Sequence, residues 1–223
     1  MGKGSSGRDS SGTARSVLDN DGSKIDLSDS PLRYGKNDNS ISDSVRKNVD
    51  EFEDKRRDSK VEYAHLVDAN GNTTADRKGG KTSVKTSSAD WKKSVLFTHV
   101  HPREAGMLGG TFSEQDFFPF AATPSVKTMR AVAKEGTYSV SKGSNYDAAG
   151  LQLYFHAEKL QLRNALVNVV NKLNAQYKSG AIDYLAYNQS YNKEFNKYLV
   201  GMHNVLLAGQ KQYGYTYTLE RRR

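Results

Sequence analysis

The chain has no cysteine in its 223 residues, so disulfides and thiolate metal sites are excluded and any zinc must be held by nitrogen and oxygen donors. It has only four prolines and one tryptophan. No apolar run approaches the roughly 20 residues of a membrane span, so no membrane association is expected. The opening MGKGSSGRDSSG lacks an apolar h-region, and no secretory signal peptide is expected there. Acidic residues are scarce in the last third: positions 151–223 carry four Asp and Glu against ten Lys and Arg, while positions 1–60 carry twelve of each. Most of the net charge of +8 therefore sits at the C-terminal end. That excess reads either as a solvated helix surface or as a face that attracts nucleic acid or an acidic partner.

What is present points to one folded unit with tails, since a chain of this length can bury most of the surface it would expose unfolded. Residues 1–39 are rich in Gly, Ser, Asp and Asn and are expected to form a flexible arm. Ile41, Val45, Val49 and Phe52 make one helical stripe, predicting a helix over about 40–57 capped by Asn39 or Ser40. Val61–Val67 alternates and reads as a strand; the turn Asp68-Ala69-Asn70-Gly71 returns the chain into a second from Thr73. After the Gly79-Gly80 break, Lys81–Thr86 is expected to be a short third strand, while Asp90–Lys93 is ambiguous. Val95–His101 is the central strand. A short helix over Ser113–Ala122 and a hairpin of Val126–Lys134 and Thr137–Ser141 follow. The period then turns helical over about 147–178 and 182–208, broken at Ser179-Gly180, and Tyr213–Leu219 closes as an edge strand. Tyr184, Tyr187, Tyr191 and Tyr198 form a stripe suited to packing or to stacking on a partner.

The stretch SVLFTHVHPREAGMLGGTFSEQD, Ser94–Asp116, carries the chemistry. Alternate side chains of a strand share a face, so His99 and His101 can converge on one ion. Pro102 and the glycines 106, 109 and 110 let the chain turn back and bring Asp116 beneath them. Ser113-x-x-Asp116 before an apolar run also reads as a helix capping box. His65, His156 and His203 have no such company and read as packing or surface residues.

The pattern His99-x-His101-Pro102 with Ser113-x-x-Asp116 resembles the JAMM motif of JAB/MPN metal-dependent hydrolases. The runs VEYAHLVDANGN, LFTHVHP, TFSEQD and MRAVAKEGTYSV resemble JAB-like domains at the C-terminal ends of bacteriophage minor head proteins and of bacterial polymorphic toxins, over about Leu32 to Val140. Eleven residues part His101 from Ser113, more than in the peptidases of that family, and Val100 stands where a small hydroxyl residue is common. The resemblance implies Zn2+ held by His99, His101 and Asp116, an upstream glutamate as base, and Ser113 as donor to a developing oxyanion. Glu62 is the best placed glutamate because its strand is expected to neighbour the central one; Glu51 and Glu53 fall on the preceding helix.

The expected fold is α+β: a small mixed sheet with flanking helices over 40–146, then a helical extension over 147–223 packing on it. The resemblance implies hydrolysis of amide or isopeptide bonds in a protein substrate, in a bacterial cytoplasm or on a virion. Its alternatives are a virion-associated structural component or toxin module with vestigial catalysis, and a zinc-dependent nuclease.

Overall fold

The computed structural model describes residues 13–14, 16–18, 24–26, 32–33, 41–102 and 106–221. Most of the expected arm over 1–39 lies outside them. Its described parts are four short strands, β1 (Thr13–Ala14), β2 (Ser16–Leu18), β3 (Lys24–Asp26) and β4 (Leu32–Arg33), with β1 pairing β4 and β2 pairing β3. Leu32 is fully buried in the main core, so this stretch contributes packing.

The fold is α+β, organised by a six-stranded mixed sheet. Its strands are β5 (Tyr63–Val67), β6 (Thr73–Lys78), β7 (Leu96–Val100), β8 (Thr128–Val132), β9 (Gly136–Lys142) and β10 (Tyr215–Arg221), in the order β10-β9-β8-β7-β5-β6. Only β7 and β8 run parallel, which demands a crossover, and the segment carrying the site supplies it. Both faces are covered, so β7 and β8 are buried at every position rather than alternating in exposure. The expected edge strand is β10, two residues later than its tyrosine-threonine alternation suggested.

Helix α1 (Asp43–Arg56) covers one face with Val45, Val49 and Phe52, the predicted stripe. It begins at Ser42 rather than Asn39 or Ser40, with no side-chain cap. The other face carries the main core, into which Leu151 and Phe155 of α4 (Ala148–Lys178) and Val200, Val205 and Leu206 of α5 (Tyr184–Tyr213) pack. Beyond Phe155 no residue of α4 is fully buried, and α4 packs chiefly on α5. Gly214 turns α5 into β10 at φ 66°, where a Cβ would lie 2.3 Å from the Asn145 carbonyl oxygen. No described helix is long and apolar enough to cross a membrane.

Two local readings are corrected. Lys81–Thr86 is not a strand: it is irregular chain in which Gly80 N–H donates to the Ser83 carbonyl, because only Val84 offers an apolar side chain to bury. The ambiguous Asp90–Lys93 belongs to α2 (Ser88–Lys92), started by a Ser87–Asp90 capping box. Trp91 is buried there, its ring tilted against Phe97 with centroids 4.5 Å apart.

Candidate metal centre

Strand β7 places Phe97, His99 and His101 on the main-core face. His99 sits between Ala64 of β5 and Ala131 of β8, two small neighbours that leave room for a buried imidazole. The ladder continues one residue beyond β7, His101 N–H donating to the Val132 carbonyl at 2.8 Å, so both histidines ride on rigid backbone.

Asp116 comes from the first turn of α3 (Glu114–Ala122), whose N-cap is Ser113. Ser113 N–H and Oγ–H both donate to Asp116 Oδ2, at 2.9 and 2.7 Å, and Asp116 N–H donates to Ser113 Oγ at 3.3 Å. The capping box and the ligand geometry thus coexist. Asp116 Oδ2 lies 3.4 Å from His99 Nε2, which lies 2.9 Å from His101 Nε2. Donor bonds of about 2.0–2.2 Å around a tetrahedral ion set ligand atoms ~3.3 Å apart, which the 3.4 Å spacing matches, while the 2.9 Å between the rings is that of a hydrogen bond. His99, His101 and Asp116 are the one such group among the described residues, their ligand atoms all within 4.8 Å of one another. They could hold a metal ion.

The surroundings set the charge states. His101 Nδ1 lies 2.9 Å from the Gly109 carbonyl oxygen and 3.0 Å from that of Gly110, which fixes the proton on Nδ1 and turns the Nε2 lone pair toward the cluster. Burial, with the neighbouring His99 charge, holds His101 down to about 4. Burial also opposes charge on His99, but Asp116 and then Glu62 outweigh it and the net shift is upward. His99 Nδ1 has no partner within hydrogen-bond geometry, although the Arg130 carbonyl acts on the ring from that side. Burial disfavours the Asp116 carboxylate; His99, His101 and the Ser113 hydrogen bond outweigh that and hold it well below the usual range.

Glu62 immediately precedes β5 and exchanges backbone hydrogen bonds with Gly79 and Gly80, which aims its side chain to the histidine side. It lines a cavity of about 370 Å³ together with His101, Ser113 and Asp116. Burial raises its pKa; His99 opposes and Asp116 adds to the shift. The misassigned segment forms another wall through Thr82, Ser83 and Val84. A second cavity of about 420 Å³ shares Glu62, His101 and Ser113 and is apolar on its far side, where Leu108, Phe112, Leu199 and Met202 meet.

Every residue singled out in the sequence for this site therefore lines one neighbourhood: His99, His101, Asp116, Glu62 and Ser113. Glu53 does not, because α1 lies across the sheet, where Glu53 pairs with Arg130. Two residues near the site went unread. Lys159 on α4 reaches both cavities and pairs with Glu114, and Glu135 binds the glycine loop behind His101. Glu135 was legible only as a turn residue, and Lys159 only as part of the basic last third. No family model matches the chain, and no curated protein or solved structure shows significant similarity to it.

Proposed function

We propose that this chain is a JAB-like zinc-dependent hydrolase of amide or isopeptide bonds, the reading implied by its JAMM-like spacing. The observation that carries it is the convergence of His99, His101 and Asp116 on one point beside a cavity that Glu62 also lines. Two imidazoles and a carboxylate, with His101 and Asp116 partly open to the cavity, suit zinc with one position left for exchange. Zinc held there would supply Lewis acidity, which lowers the pKa of a water and polarises a carbonyl.

The remaining steps belong to the chain. Glu62 accepts the proton that the attacking water loses and returns it to the leaving amine; its raised pKa narrows the gap between the two tasks. Ser113 Oγ–H donates to Asp116 in this state, so it orients a ligand and would serve an oxyanion only after rotating about χ1. The apolar second cavity accepts a side chain of the substrate next to the scissile bond.

The test is metal content followed by hydrolysis. Protein purified in zinc should carry one zinc per chain. Glu62→Gln should keep that zinc and lose ~10²–10⁴-fold in metal-dependent cleavage of isopeptide-linked peptides. A wild type that binds no zinc sinks the proposal.

A second reading, a structural component of a virion or larger assembly, draws on α4. Leu153, Leu160 and Val167, seven residues apart, are 74, 47 and 44 % exposed on one stripe of the helix. A chain that stays monomeric by light scattering at high concentration and binds no partner through this stripe removes that support.

A further inference from the structure

The loop behind His101 joins a second carboxylate to the metal centre. Gly109 N–H and Gly110 N–H donate to Glu135 Oε2 and Oε1, each at 2.9 Å. The Gly109 carbonyl and the Gly110 N–H belong to one peptide unit, which is trans, so the two groups point in opposite directions. That single plane has Glu135 on its N–H side and His101 Nδ1 on its carbonyl side. An amide that donates to a carboxylate is polarised, and its carbonyl becomes a better acceptor.

We propose that Glu135 is a positioning residue of the metal centre, acting on His101 through the Gly109–Gly110 peptide; this rests on the metal-binding reading of His99, His101 and Asp116. Ligating histidines are commonly oriented by a carboxylate or a backbone carbonyl on the second ring nitrogen, which fixes the tautomer and raises ligand basicity. Here the two devices stand in series. The peptide supplies the contact and the carboxylate supplies the charge.

The arrangement is built rather than incidental. Glu135 is 2 % exposed in the turn between β8 and β9, where Ala133 N–H donates to the Gly136 carbonyl, and Tyr138 Oη–H donates to Glu135 Oε1 at 2.6 Å. A carboxylate buried in a hairpin turn is costly unless its lone pairs are used, and these are used on the loop. The loop can approach only because it is glycine: a Cβ on Gly109 would lie 2.6 Å from Ala133 Cβ, and Gly110 holds φ 78° with a Cβ position 2.8 Å from Leu199 Cδ2. Asn196 fixes the far end, accepting from Leu108 N–H at 2.8 Å and donating to the Gly106 carbonyl at 3.1 Å.

The experiment uses the full chain, with Glu135→Gln and Glu135→Asp. Gln sets an amide NH2 against a loop N–H; Asp keeps the charge and shortens the reach, so it tests the idea even if the Gln variant does not fold. Zinc affinity, measured by competition with a chromophoric chelator, should fall in the order wild type, Asp, Gln, with Gln ~10–100-fold weaker. In metal-free protein, nitrogen NMR of the His101 ring should show the proton on Nδ1 in wild type and a mixture of tautomers in Glu135→Gln. Folded variants with lower melting temperature but wild-type zinc affinity and tautomer overturn the proposal, as does a wild-type His101 protonated on Nε2. A wild type that binds no zinc, yet shows the tautomer change on substitution, removes the metal reading and leaves the peptide relay standing.

Discussion

Two groups of buried polar side chains lie on opposite faces of the same sheet, and they are finished differently. On the α1 face, Thr98 and Arg130 sit in register on β7 and β8 and share Glu53. Arg130 Nε and Nη2 donate to the two oxygens of Glu53 at 2.7 and 3.0 Å, Thr98 Oγ1 donates to Glu53 at 2.8 Å, and Arg130 Nη1 reaches Glu220 at 3.5 Å. Burial would lower the Arg130 pKa, but the two carboxylates outweigh it and raise it. No buried polar atom of Glu53, Thr98 or Arg130 is left without a partner, and in that sense the network is closed. On the other face, His99, His101 and Asp116 bring two ring nitrogens and a carboxylate oxygen together, so acceptors outnumber protons. A closed network rigidifies a fold, whereas an acceptor-rich one could hold a cation.

The largest effect should come from breaking the closed side. Glu53→Ala leaves Arg130 buried without its bidentate partner and should cost about 3–5 kcal/mol in urea unfolding. Zinc affinity should stay within about twofold of wild type if the two groups are independent, as separation across the sheet predicts. A folded Glu53→Ala protein that has lost its metal breaks the comparison.

Opening the other side should remove the metal as well as stability. His99→Ala removes a proposed ligand, so its loss in zinc affinity should exceed the ~10–100-fold typical of an outer-shell partner. By calorimetry the metal-free variant should also unfold below metal-free wild type, because a buried imidazole is lost and the Asp116 carboxylate loses its neighbour at 3.4 Å, while added zinc should stabilise wild type alone. Saturation at 1,000 times the dissociation constant would add about 4 kcal/mol.

Acid should act on both faces. His203, fully buried against Tyr217 with Nδ1 2.9 Å from Oη, is held down to about 4 by burial, against about 6.5 for the unfolded chain. Between those values the unfolded state binds the extra proton, so stability falls as pH drops from 6.5 toward 4, by up to about 1.4 kcal/mol per unit for this group. His203→Asn should flatten that limb in metal-free protein. An unchanged slope would assign the acid sensitivity elsewhere. His65, on the α1 face, is shifted down by burial in the same sense.

The smallest effect is expected at the cap. Ser113→Ala removes the side-chain half of the α3 capping box and should cost about 1 kcal/mol. It should weaken zinc less than His99→Ala does, because Asp116 keeps its hydrogen bond from Ser113 N–H.

Much of the site was readable because its signals are local. A two-residue period is enough to set His99 and His101 on one face, and the spacing Ser113-x-x-Asp116 is enough to place a carboxylate in a first helical turn. The helical stripe of α1 was equally plain. Lys81–Thr86 misled because alternation with a single apolar residue satisfies the strand pattern without a surface to bury. Glu135 was unreadable for another reason: its partners are 25 and 26 positions away, and in sequence it differs in nothing from a solvated turn residue.

By itself the sequence determined most of the elements, the faces of α1 and β7, and the exclusion of thiolate ligands, since each follows from residue type and local period. The tertiary structure alone decided which of the carboxylates near those elements serves which centre. Glu53 and Glu62 are nine residues apart, but α1 and β5 carry them to opposite sides of the sheet, one to Arg130 and one to the cavity beside His101. Local geometry orients a side chain relative to its own backbone; only packing says what stands across from it.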